Sequence, residues 1–218
     1  MVELLVGMAM GMVVLAGLTM VIIVTLHGNA RVDARVEATQ NARLTVTEIM
    51  EELHSACISP KIAPVKESSS GTKLVFWHAA GGEAKAVEPK PVKSEVTYEG
   101  GALWQTDYAQ AGGASPEWTF AATGERRKLI GNVEPAPGKT GLFNYYRYED
   151  GALAESPLAT PLSKAAAEET VYVKLSLTAE PASNPVHDAA ADATVSDSAT
   201  LRLTPPAYDE ETVALPCQ

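Results

Sequence analysis

The chain has 218 residues and carries 17 Lys and Arg against 27 Asp and Glu, a net charge of −10. Its densest basic cluster is Arg126-Arg127-Lys128, far short of the stripe that a nucleic-acid partner requires, so direct nucleic-acid binding is not expected. With the apolar N-terminus set aside, roughly 190 residues remain, enough for one ordinary domain.

That N-terminus reads MVELLVGMAMGMVVLAGLTMVIIVTL, an unbroken apolar run from Leu4 to Leu26 with Glu3 at its mouth. At about 1.5 Å per residue the run spans roughly 35 Å, enough for a bilayer core of about 30 Å. It is too long for a signal-peptide core, and no Lys or Arg precedes it. Helix formers continue beyond it. From His27 to Cys57 there is no proline and only Gly28 as glycine, and Ser59-Pro60 supplies the stop. The pattern predicts one helix from about Val2 to about Ile58. Residues 1–26 form its transmembrane part and 27–58 its amphipathic continuation. Ala42, Val46, Ile49, Met50, Leu53, Ala56 and Cys57 recur at helical spacing and form the stripe that should face the following domain.

Residues 59–218 read as an antiparallel, β-rich outer domain. A loop at 59–71 precedes strands expected at 73–78, 95–98, 102–106, 118–121, 128–133, 142–148, 170–178 and 199–203. Glu99-Gly100-Gly101 and Glu149-Asp150-Gly151 are turn signals that join neighbouring strands as hairpins. Val171, Val173, Leu175 and Leu177 alternate with polar residues, as in a strand with one buried face. Segments 84–93, 109–117 and 179–198 are poor in large apolar residues and read as loops. No further helix is expected, so the fold class is α+β: a long N-terminal helix packed on an antiparallel sheet.

Two residue-level questions stay open on these grounds alone. Glu3 is either a headgroup-level carboxylate favoured by a helix N-terminus or a membrane-buried one, which is costly unless paired. Cys57 and Cys217 permit one disulfide in an exported chain; the alternatives are two unrelated thiols or an intermolecular bond. The flanking charges conflict with export. Arg31, Arg35 and Arg43 follow the span and none precedes it, which by the positive-inside rule would hold the domain in the cytoplasm. A basic leader upstream of Met1 would remove the conflict.

Met1-Val2-Glu3-Leu4-Leu5-Val6, with the Gly/Ala/Met/Val/Leu-rich run behind it, resembles the N-terminus of type IV pilins and type II secretion pseudopilins, the prepilin-type methylation motif. Ala42-Arg43-Leu44-Thr45 and Ile49-Met50-Glu51-Glu52-Leu53 resemble the helix exit of PilW-like minor pilins and J-type pseudopilins. The family's leader glycine and phenylalanine are absent from this chain. The resemblance implies a minor pilin or pseudopilin with a pilin-like fold, a structural or initiating subunit of a filament. It would wait in the cytoplasmic (inner) membrane as a single-pass protein with its domain outside, before joining a cell-surface or periplasmic filament. Glu3 would be the assembly residue, its charge neutralised in trans by a neighbour's N-terminal amine. Partners would be other subunits, a prepilin peptidase and an inner-membrane assembly platform. The alternative is a signal-anchored surface or periplasmic binding protein that enters no filament.

No enzymatic chemistry, metal or cofactor is expected. His27, His54, His78 and His187 lack metal-ligand spacing, and CxxC, HExxH and GxSxG are absent. Pro137-Gly138-Lys139-Thr140 imitates the end of a phosphate loop, but its first glycine would fall on Val133. Glu51-Glu52, Glu168-Glu169 and Asp209-Glu210-Glu211 read as solvated surface. Phe143, Tyr145, Tyr146 and Tyr148 read as strand packing.

Overall fold

The computed structural model describes residues 2–58, 62–79, 90–114, 116–181 and 192–201. Helix α1, Val2–His54, is a single 53-residue rod. Five strands follow: β1 (Lys73–Ala79), β2 (Pro91–Glu99), β3 (Ala102–Gly112), β4 (Thr119–Phe120) and β5 (Glu125–Gly131). They form one antiparallel sheet in the order β1-β2-β3, with β5 on the first half of β3 and β4 on the second. A second antiparallel sheet joins β6 (Val133–Pro135) and β7 (Phe143–Tyr146) to one edge of β10 (Tyr172–Ala179) and β11 (Ala193–Thr200) to the other. A small hairpin, β8 (Tyr148–Glu149) with β9 (Ala152–Leu153), and a short helix α2 (Lys164–Glu169) lie between β7 and β10.

The amphipathic half of α1 is the centre of the core. Ala38, Ala42, Val46, Ile49, Met50 and Leu53 are all buried, one per turn or closer. They pack with Leu74, Phe76, Val96 and Leu103 of the first sheet and Val173, Leu175, Leu177 and Ala199 of the second. Each large apolar side chain so buried contributes roughly 1.5–3 kcal/mol. The stripe begins one turn earlier than its sequence pattern, because Ala38 lets the β-sheet edge approach closely. Tyr145 ties the two sheets together. It is fully buried, and its hydroxyl is shared between the carbonyls of Ser70 (3.0 Å) and Lys73 (2.9 Å).

Several boundaries differ from the sequence pattern. The helix stops at His54 rather than near Ile58, because β1 recruits the next residues. Cys57 N–H donates to the Trp77 carbonyl at 2.7 Å, and Ala79 N–H to the Ser55 carbonyl at 3.2 Å. Strand β3 runs to Gly112, and β2 begins at Pro91, inside segments read as loops. The same holds for β11, which covers 193–200. Residues 128–133 are divided between β5 and β6 by Asn132, which has a positive φ of 54°. Helix α2 was not expected; Ser163 caps it by accepting from Ala166 N–H. The expected strand residues 202–203 and much of segment 84–93 lie outside the described residues.

Candidate functional site

The first half of α1 stands clear of the rest of the described residues. Its large apolar side chains from Val6, 51% exposed, to Leu26, 62% exposed, face away from the domain. The helix is long and apolar enough to cross a membrane, with a mean hydropathy of 2.5 over its best window and none of that window buried. The two threonines of the span, and His27, bond within the helix. Thr19 and Thr25 donate to the carbonyls of Leu15 and Val21 at 2.8 Å, and His27 Nδ1 lies 2.9 Å from the Ile23 carbonyl. Such back-bonding lets hydroxyls enter an apolar medium without an orphan donor. Above the span, Val32, Val36 and Leu44 remain 61%, 47% and 70% exposed. Glu3 lies in the first turn of α1 and is exposed. This stalk needs a cover that the other described residues do not supply.

A polar network locks the other half of α1 to the first sheet. The register of β2, β3 and β5 aligns Ser94, Asp107, Gln105 and Arg127 on the face turned toward the helix. Gln105 Nε2 donates to both Glu52 oxygens (3.0 and 2.8 Å) and to Asp107 Oδ1 (2.9 Å). Arg127 Nη1 reaches Glu48 at 2.6 Å, while its Nη2 donates to Gln105 Oε1 at 3.0 Å. Ser94 donates to Asp107 at 2.5 Å, and His78 Nε2 lies 2.9 Å from Ser94 Oγ. Glu52, read from sequence as solvated surface beside Glu51, is therefore half-buried and bonded; Glu51 is exposed as expected.

Burial, followed by the nearby Asp107 and Glu48 charges, raises the Glu52 carboxyl above its ordinary range, against the lowering effect of the Gln105 bond and Arg127. Burial also depresses the His78 imidazole, partly offset by Asp107 and by a bond to the Ala79 backbone. The Ser94 hydroxyl is already given to Asp107, so His78 donates to it rather than activating it. With Ser94 fully buried, the three residues form a closed structural chain, not a nucleophile with its base.

Of the residues singled out in the sequence, the described ones, Glu3 and Cys57, are not brought together. Glu3 and Cys57 stand at opposite ends of the helical segment. Cys57 is buried beside Ile62, with Trp77, Ala79 and Trp118 packed around them; Cys217 lies outside the described residues. Among the described residues, no group of three or more His, Cys, Asp or Glu is placed to hold a metal ion. Pro137-Gly138-Lys139-Thr140 is followed by β7 and not by a helix. The helix–sheet network escaped sequence reading because its members come from five separate elements, and only strand register aligns them.

Compared with protein-family models, with curated proteins and with solved structures, the chain matches none. What stands is an architecture. A long apolar N-terminal helix projects from, and packs through its second half on, antiparallel sheets, as in a pilin-like subunit.

Proposed function

We propose that the chain is a minor pilin or pseudopilin, assembled through α1 into a type IV pilus or type II secretion-type filament. One observation carries this reading: a single uninterrupted helix whose outer half is the domain's core and whose first half is bare and apolar. A bilayer covers such a surface before assembly, and the helices of neighbouring subunits cover it afterwards. In the membrane the chain is single-pass, with its domain outside the cytoplasm. A peptidase and an assembly platform in the inner membrane would process it and pass it to its neighbours.

Glu3 is assigned the assembly role. Its carboxylate meets the N-terminal amine of an adjacent subunit within the apolar bundle, where an unpaired charge would be expelled. Recovery of the chain in sheared filaments, wild type against Glu3→Ala, tests both the class and this residue.

A bridge from Cys57 to Cys217 would fasten the C-terminal tail where α1 meets β1. Closing a loop of roughly 160 residues stabilises a chain by up to about 5 kcal/mol in the entropy model. Non-reducing peptide mapping should recover the two cysteines as one linked peptide. Two alkylatable thiols would rule the bridge out.

A further inference from the structure

We propose that the outward face of the five-stranded sheet binds an acidic polysaccharide, a polymer of hydroxyl-bearing sugars with carboxylate substituents. The strand register builds this face from dispersed residues. Lys73, Thr97, Trp104 and Lys128 form one cross-strand row, Glu95, Thr106 and Arg126 a second, and Trp77, Lys93 and Tyr108 a third. Four strands at about 4.8 Å spacing make a platform roughly 14 Å wide. Lys66, beside β1, adds its ammonium 3.4 Å from the Trp77 ring centre.

The chemistry of the face is segregated from that of the chain. In a protein of net charge −10, it gathers Lys66, Lys73, Lys93, Arg126 and Lys128 around the carboxylates Glu95 and Glu99. Its half-buried rings are each roofed by a cation. Lys93 lies 4.7 Å from the Tyr108 centre, and Arg126 and Lys128 lie 4.6 and 5.9 Å from that of Trp104. Cation–ring pairs at exposed sites are worth only about 0.5–1 kcal/mol. An arriving carboxylate therefore draws Lys128 off the Trp104 ring and into an ion pair, and competes with Glu95 and Glu99 for Lys93 and Arg126. The uncovered ring then accepts the C–H face of the sugar.

The centre of the face suits a hydroxyl-bearing polymer. Glu95 bridges Lys73 at 2.8 Å and Lys93 at 2.7 Å. Burial raises its carboxyl, but the two lysine bonds outweigh this and hold it below the usual range. Glu95, Thr97 and Thr106 lie side by side on the face, and their carboxylate and hydroxyl groups suit sugar hydroxyls. A lipid surface is out of reach, because the Arg127–Glu48 contact that holds β5 to α1 lies about 33 Å along the helix beyond Leu26.

The test uses the full-length protein in detergent micelles, with polygalacturonate as probe and dextran and oligothymidylate as comparison polymers. Polygalacturonate should bind and dextran should not. Trp104→Ala, and separately the pair Lys93→Gln/Lys128→Gln, should each weaken binding about tenfold. The pair Lys139→Gln/Lys174→Gln, with the same charge change elsewhere on exposed loop and strand positions, should leave it within about twofold. Absence of polygalacturonate binding at low salt, or equal losses in both lysine pairs, would overturn the proposal. Tighter binding of oligothymidylate would also overturn it, making phosphates the ligand. If circular dichroism shows that Trp104→Ala perturbs the fold, the lysine pairs decide.

Discussion

Where α1 meets the first sheet, the same burial moves two ionisable groups in opposite directions. His78 is depressed, so below the ordinary imidazole value near 6.5 the unfolded chain binds a proton that the folded chain refuses. Its effect is a loss of stability as pH falls from 6.5 to the depressed value. Glu52 is raised, so the folded chain binds the extra proton between the ordinary 4.5 and the raised value. Its effect is a gain in stability as pH falls through that window. Thermal unfolding in micelles should separate the two. His78→Gln should become less sensitive than wild type to acidification below pH 6.5. Glu52→Gln should lose the stabilisation on approaching pH 4.5. Unchanged pH profiles in both variants would remove the network from the stability of the junction. None of this was legible in the sequence. His78, Ser94 and Asp107 sit on strands that carry polar residues on both faces, and alternation alone does not say which face a helix will cover.

At the scale of elements, the chain states its turns more clearly than its strand ends. Glu99-Gly100-Gly101 gives a two-residue hairpin between β2 and β3, with Gly100 at φ 57° and Gly101 at φ 71°. Asp150-Gly151 does the same for β8 and β9, with φ of 50° and 80°. Both are the left-handed pairs that two-residue hairpins need. Residues 193–198 of β11 read as loop because ATVSDS offers little to bury. They become strand through the ladder with β10, with Ala193 and Ala199 buried and Val195 packed against the core. Partner backbone, not intrinsic pattern, decides such segments. The buried stripe of α1 was readable because its period is local. Ile49→Ala should lower domain stability by about 2–5 kcal/mol through the cavity it leaves. Leu44→Ala, at a position 70% exposed, should cost less than about 0.5 kcal/mol. Comparable losses from the two would mean that the helix packs on a different face.

At the scale of the molecule, one helix belongs to two environments. From Ala38 onward it is the spine of a packed domain; its residues 6–26 are an apolar rod that no other described residue covers. As the sequence pattern indicated, the helix packs on antiparallel sheet, among the described residues as two main sheets and a small hairpin. The need of the bare half for neighbouring helices is the central claim. It is tested most directly by shearing filaments from cells that carry the wild-type chain or Glu3→Ala and quantifying the chain in the sheared and membrane fractions. The account predicts that both proteins reach the membrane equally and that wild type alone is recovered in quantity with the filaments. Equal recovery of the two in filaments would contradict the role of Glu3, and absence of the wild-type chain from them would contradict the filament subunit itself.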